Sequence, residues 1–208
     1  FHPTEPRILA VLDWELSTLA HPIPDLSHPS MTRHIPAGQL PATHGIVGNG
    51  WYHRELAEVQ FWKQSNHLVQ GPKIWEELRA IDPEFTCAKL FWWYNLYSGA
   101  DYSITPRPMY PADGRKYFDI YSWPYSIRPE IKQELGEFPF PAVWGPAAGT
   151  ASPPGTPDAA SRWIAASARW IENKFAPTLN LIYLPHLDYN LQRLGPGNPA
   201  ITRDLGEI

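Results

Sequence analysis

The sequence predicts an α/β protein in which a mostly parallel sheet is flanked by helices and joined by long loops. Short apolar runs alternate along the chain with segments whose apolar residues recur at helical spacing. This strand–helix alternation is typical of parallel sheets covered by helices. Proline accounts for 24 of the 208 residues, roughly twice its usual share, which predicts many loop segments.

The first half of the chain contains two predicted strands and one helix. An apolar run over residues 8–12 ends in Asp13 and is typical of a buried strand. Residues 20–50 are rich in Pro, His and Gly and predict a loop with at most one helical turn. Residues 71–81 predict a helix with an apolar stripe and with Pro72 in its first turn. Residues 85–92 predict a second buried strand.

The second half opens with an extended, aromatic and proline-containing excursion over residues 99–126, followed by a short helix over 127–135. Residues 136–157 predict a flexible loop, after which Asp158 is expected to cap a helix that ends near Phe175. Residues 178–184 predict the third strand. A further helix is expected to begin at Pro199.

Charge and composition exclude two classes of partner. The chain has 17 basic and 21 acidic residues, a formal net charge of −4, which argues against electrostatic binding of nucleic acid. No apolar run approaches the roughly 18 residues that span a bilayer, so we expect no membrane partner. The first residues lack a signal-peptide pattern, and the lone Cys87 predicts a buried thiol in a reducing, cytoplasmic compartment. Because the chain opens with Phe1, we expect a fragment or a processed form.

Two carboxylates follow predicted strands. Asp13 ends the first strand, and Asp188 follows the third after His186. The carboxyl ends of parallel strands share one edge of the sheet, which is where such sheets place their chemistry, so the two carboxylates predict a metal site. The alternatives are that Asp13 caps a helix beginning at Trp14 and that Asp188 makes local hydrogen bonds in a turn. For His186 the pattern favours a plain loop histidine over a metal ligand or a residue that hydrogen-bonds to a metal ligand.

Thr32 and Asn49 are the candidate groups for covalent chemistry. A Thr hydroxyl becomes a nucleophile when a metal or a base lowers its pKa, and an amide such as that of Asn49 can hold a phosphoryl oxygen. The glycines on either side of Asn49 allow the backbone to approach a ligand closely. Without a metal, the same residues amount to a turn containing an Asn.

Two further groups leave alternatives open. Four histidines fall within 24 residues: His21, His28, His34 and His44. They lack the i, i+4 spacing of a helical metal site, so a mononuclear zinc site built from them is the less favoured alternative. The aromatic block over residues 91–94 suits stacking against a ring, although core packing is the favoured interpretation.

From about Pro29 onward, the chain resembles the type I phosphodiesterase/nucleotide pyrophosphatase family of the alkaline phosphatase superfamily. Four stretches carry this resemblance: residues 40–51, 61–66, 89–95 and 183–189. The resemblance implies a partial alkaline-phosphatase-like core with a binuclear metal site, usually zinc. It also implies hydrolysis of phosphodiester or pyrophosphate bonds in a small nucleotide-like substrate through a Thr or Ser nucleophile.

Position by position, the resemblance implies that Thr32 is the nucleophile and a metal ligand, and that Asn49 holds the phosphate. It makes Asp188 a zinc ligand, with Asp13 standing in for the family's first metal-binding Asp. Gln192 occupies the position where better-known relatives place a ligating His. The superfamily's later ligands would fall after the last residue, so we expect at most part of a two-metal site and a truncated domain over residues 28–208.

Residues 1–27 carry a separate resemblance. The segment around Asp13 is similar to the metal-binding strand of aminoglycoside phosphotransferase-like kinases, in which an Asp between Leu and Trp-Glu holds Mg²⁺. We therefore expect residues 1–27 to be a segment of foreign origin. Three functions follow from the sequence: a metal-dependent phosphodiesterase, a non-catalytic binding module of that fold, or a small-molecule or sugar-binding module that uses the ten tryptophans.

Overall fold

The computed structural model describes residues 40–46, 50–61, 63–107, 109, 113, 115, 117–140 and 158–208. The predicted strand over residues 8–12 lies outside these ranges, as do Asp13, Thr32 and Asn49. Asp188 lies inside them, within a helix.

The described elements alternate between short strands and helices. The helices are α1 Pro41–His44, α2 Ile74–Ile81, α3 Ile127–Leu135, α4 Ala159–Phe175, α5 His186–Leu194 and α6 Pro199–Glu207. The strands are β1 Gly50–His53, β2 Glu58–Phe61, β3 Cys87–Leu90, β4 Tyr102–Pro106, β5 Ile120–Trp123 and β6 Leu179–Ile182.

The central sheet has four strands in the order β5-β4-β3-β6. Strand β3 pairs in parallel with both β4 and β6, and its Lys89 lies opposite Ser103 on one side and Leu181 on the other. Strand β5 runs antiparallel to β4. The predicted α/β class with a mostly parallel sheet is therefore confirmed. Strands β1 and β2 form a separate antiparallel pair.

The two faces of the central sheet differ in chemistry. One, the apolar face, carries Ala88, Leu90, Ile104 and Ile120 and packs against α3 and α4 in a single buried cluster. The alternation of side chains along each strand puts Lys89, Ser103 and Thr105 on the opposite, polar face. The α2 residue Trp75 covers this side, packed with Cys87 and the two leucines of β6.

Most predicted elements are confirmed, with three instructive differences. Helix α2 begins at Ile74, so Pro72 precedes it. Asp158 occupies the N-cap position of α4, but its carboxylate pairs with the Arg162 side chain and makes no capping hydrogen bond to a backbone amide of the helix. The predicted excursion over 99–126 contains β4 and β5, whose residues pair with each other in an antiparallel register.

Candidate functional site

The candidate site lies at the carboxyl edge of the sheet, where the chain leaves β3 and β6. The segment after β3 and the segment after β6 meet there, because the Tyr183 amide donates to the Leu90 carbonyl at 3.0 Å. The rings of Trp93 and Tyr183 lie 6.4 Å apart. Parallel sheets bind their ligands at this edge.

Helix α5 brings Asp188 close to this edge. The helix begins at His186, four residues after the end of β6, and Asp188 lies in its first turn. The alternative that placed Asp188 in a turn is therefore wrong, because the residues after Pro185 continue as a helix. The positive end of the helix dipole favours an acidic residue in this first turn.

The other predicted site residues do not enter this description. Asp13, Thr32 and Asn49 lie outside the described residues, so their convergence with Asp188 stays a prediction. Within the described ranges, no three His, Cys, Asp or Glu side chains come together as a metal-binding group. The three predicted ligands, Asp13, Thr32 and Asp188, all offer oxygen atoms, which suit a divalent cation, and the described ranges contain Asp188 alone of the three.

No helix in the described ranges is long and apolar enough to cross a membrane.

His186 is part of the interface between α5 and α6. It is 2% exposed, its amide donates to the Ser161 hydroxyl at 3.3 Å, and its Nε2 lies 3.1 Å from the Asp204 carbonyl. The Asp204 carboxylate accepts a 2.7 Å hydrogen bond from Asn190. The interpretation of His186 as a plain loop histidine is therefore wrong, because these contacts bury it at the start of α5 and give it a structural role there.

The segment after β3, residues Phe91–Tyr97, is here called the aromatic turn, and its backbone is strained. Phe91, Tyr94 and Tyr97 have φ values of 57°, 52° and 57°. Bulky side chains rarely occupy this left-handed region, and each such residue costs on the order of 1–3 kcal/mol. Such strain persists only where surrounding contacts fix the backbone.

Three buried or half-buried amides provide those contacts. The Gln64 Oε1 accepts from the Tyr94 amide at 2.9 Å, and the Asn66 Nδ2 donates to the Tyr94 carbonyl at 2.9 Å. The Asn95 Nδ2 donates to the Lys89 carbonyl at 2.9 Å and to the Ile104 carbonyl at 3.3 Å. Sequence reasoning missed these amides because their partners are backbone groups that are distant in sequence.

Lys89 lies beneath the aromatic turn and is completely buried. Its Nζ is 3.5 Å from the Tyr94 carbonyl and 4.2 Å from the centre of the Trp75 ring. Burial disfavours the charged form and lowers the pKa of Lys89 to about 7. A single lysine inside an apolar strand is a sequence signal for this position, but the strand pattern alone does not show that the amine is buried without a counter-charge.

Two other predictions concern this part of the core. Cys87 is fully buried, and burial raises the pKa of its thiol to about 12, which confirms an inert thiol. Core packing of the aromatic block is confirmed for Phe91, Trp92 and Tyr94, which are all buried.

Residues 27–208 match the family described as type I phosphodiesterase / nucleotide pyrophosphatase. Shorter matches relate the chain to acyl-CoA dehydrogenase family member 11. The Pongo abelii protein is 46% identical over 59 residues, which is 28% of this chain and 7% of that protein. The Gallus gallus protein is 71% identical over 28 residues, which is 14% of this chain and 4% of that protein. The Homo sapiens protein is 64% identical over 31 residues, which is 15% of this chain and 4% of that protein. The chain therefore spans a small fraction of these relatives. No solved structure matches it.

Proposed function

The chain belongs to the type I phosphodiesterase / nucleotide pyrophosphatase family, and from this we propose that it is a metal-dependent hydrolase of phosphodiester or pyrophosphate bonds. The single observation that carries the proposal is the family match over residues 27–208. The family is one of hydrolases acting on small nucleotide or phosphodiester substrates, and we propose a substrate of this kind.

The proposed reaction begins at Thr32. Its hydroxyl oxygen attacks phosphorus, the bond to the leaving oxygen breaks, and water then releases the phosphoryl group from the Thr. The Asn49 amide donates to a phosphoryl oxygen as negative charge develops there. Asp13, Thr32 and Asp188 are the proposed holders of a divalent cation, for which we propose zinc. When bound, the cation lowers the pKa of the Thr hydroxyl and polarises the phosphoryl group.

The position of Asp188 supports this assignment. Its helix starts beside the carboxyl edge of the sheet, where the rings of Trp93 and Tyr183 also lie. We propose that these rings border the substrate and that Asp188 helps to hold the cation. Aromatic side chains suit a ring-bearing leaving group because they bury apolar area at a low cost in conformational entropy.

Hydrolysis of bis(4-nitrophenyl) phosphate tests the proposal. The zinc-supplemented protein should release nitrophenolate, and a chelator should abolish the release. Thr32→Ala should lower the rate by at least about 100-fold, whereas the exposed Thr43→Ala should leave it unchanged. Activity that survives Thr32→Ala intact would remove Thr32 as the nucleophile, and absence of turnover at any zinc concentration would contradict hydrolysis.

A non-catalytic binding module of the same fold is the second candidate. Gln192 occupies the position where the family resemblance places a ligating His, which favours an incomplete ligand set. This candidate predicts that the protein binds a phosphodiester without turnover and holds less than one zinc per chain. Calorimetric titration with a non-hydrolysable phosphorothioate diester, together with elemental analysis, separates it from the hydrolase.

We also propose that residues 1–27 form a segment distinct from a phosphodiesterase-like domain over residues 28–208. The start of the family match at residue 27 supports this division. A cytoplasmic location is likewise a proposal, and the lone buried Cys87 supports it. Limited proteolysis that releases a stable fragment beginning near residue 28 would support the division, whereas a stable product retaining both parts would contradict it.

A further inference from the structure

The aromatic turn covers a lysine that has no counter-charge. Within the described ranges, no carboxylate lies at ion-pair distance from the Lys89 Nζ, and its oxygen contact is the Tyr94 carbonyl. An ammonium group has three donors, and one carbonyl at 3.5 Å together with the face of Trp75 replaces its hydration poorly. The buried site therefore accommodates the neutral amine better than the charged one.

The cover over this lysine is the strained part of the fold. The aromatic turn contains three residues with left-handed backbone, and its Tyr94 carbonyl is the group that contacts Nζ. Opening the turn would relieve that strain and admit water to the amine. A protonated Lys89 gains hydration from such opening, whereas a neutral Lys89 gains much less.

We propose that protonation of Lys89 opens the aromatic turn at the carboxyl edge of the sheet, so that the turn is a pH-responsive gate beside the candidate site. The proton comes from solvent and returns to it when the turn closes over the neutral amine. The proposal rests on the described contacts and does not depend on the proposed hydrolysis.

The other titratable groups around Lys89 divide into two sets. Cys87 shares its strand and stays neutral, because burial raises its pKa to about 12. Lys73 and Glu76, at the start of α2, act on Lys89 directly, whereas Arg79 and Asp101 act on the neighbouring Cys87. Lys73 pairs with Glu76, and Arg79 pairs with Asp101. His67 lies against the ring of Tyr97, 6.2 Å between centroids, so it contacts the aromatic turn and is the residue to control for.

Hydrogen exchange of peptides covering residues 91–97 in the full chain tests the gate. After correction for intrinsic exchange rates, the opening equilibrium should fall by up to about 100-fold between about pH 6 and about pH 9, because the open state holds the proton more tightly. Lys89→Met, which fills the site without a charge, should abolish this pH dependence. His67→Asn and the exposed Lys132→Met should retain it.

Carbon-13 NMR of the labelled lysine Cε keeps the test independent of any variant that fails to fold. In the wild-type protein, one lysine should titrate near pH 7, and its resonance should be missing from Lys89→Met spectra. Protection of residues 91–97 that is independent of pH would overturn the proposal. It would also be overturned if every lysine titrated near its ordinary value or if the response disappeared in His67→Asn alone. Loss of hydrolysis with the gate intact would count against the proposed function only.

Discussion

The two faces of the central sheet are built from the same strands and serve different purposes. The apolar face buries Leu90 and Ile104 against α3 and α4, and burial of apolar area is its source of stability. The polar face buries Lys89, Ser103 and Thr105, which are 0%, 1% and 2% exposed. Buried polar groups need hydrogen-bond partners, so this face fixes the course of the backbone instead.

The polar face also anchors the aromatic turn. The Ser98 hydroxyl joins Asn95 and Ser103, at 3.2 Å and 3.3 Å, which ties the aromatic turn to β4. Left-handed backbone also occurs on the apolar side, where Phe91 packs against Phe138 and Trp163 and where Ala176 ends α4. Amide and hydroxyl contacts are therefore what hold Tyr94 and Asn95 in place at the carboxyl edge.

The apolar face should give the largest loss of stability. Ile164 is fully buried in the cluster that covers this face, so Ile164→Ala should lower the free energy of unfolding by about 2–5 kcal/mol, through lost burial and a residual cavity. Ile81→Ala, at a site that is 80% exposed, should change it by less than about 0.5 kcal/mol. Urea denaturation measures both, and equal effects would erase the distinction between core and surface.

Asn95 should give a smaller loss from the polar face. Asn95→Ala removes the donor to the Lys89 and Ile104 carbonyls and should lower the free energy of unfolding by about 1–3 kcal/mol. The exposed Asn173→Ala on α4 serves as the matched control and should be nearly neutral. If Asn95→Ala were as mild as its control, the turn would not depend on this amide.

The buried Lys89 of the polar face should make the free energy of unfolding of the chain depend on pH. The pKa of Lys89 is about 7 in the folded chain and near 10.5 in the unfolded chain. Between these values the unfolded chain binds more protons, so stability rises with pH, by about 1 kcal/mol from about pH 7 to about pH 8. Urea midpoints across this range measure the slope. Lys89→Met should flatten it, and a wild-type slope of opposite sign would contradict a lowered pKa.

Asp101 should give the smallest effect. Its Oδ2 accepts from the Cys87 amide at 2.8 Å and from Arg79 at 2.6 Å, and both ionic side chains are about one-third exposed. Asp101→Asn should therefore cost about 1 kcal/mol or less. Asp113→Asn, in the exposed pair with Arg115, should produce no measurable shift in thermal unfolding. A large loss at Asp101 would mean that the ion pair contributes more than the amide bond.

Local patterns predicted the apolar face better than the polar one. The helical spacing of Trp163, Ile164, Trp170 and Ile171 predicted α4, and residues 127–135 are α3 as expected. These elements depend on periodicity, which the sequence carries directly. The pairing of β4 with β5 was missed because a proline-rich segment weakens the strand pattern. The sheet tolerates Pro106 because this residue lies at the end of the pair, opposite Ile120.

The candidate site was less accessible from the sequence for a physical reason. Asp188 could be associated with the third strand, but its helix depends on packing against α6 through His186 and Asp204. The environment of Lys89 depends on Tyr94 and Trp75, which approach it only in the folded chain. Burial depth and backbone strain are tertiary properties, so no spacing rule identifies them.

The most direct measurement is anomalous diffraction at the zinc edge from crystals of the full chain grown with zinc and a phosphodiester analogue. The proposed hydrolase requires a zinc peak about 2 Å from a carboxylate oxygen of Asp188, with the Thr32 hydroxyl beside the analogue's phosphorus. A peak held by other residues, with Asp188 and Thr32 in separate parts of the molecule, would contradict it.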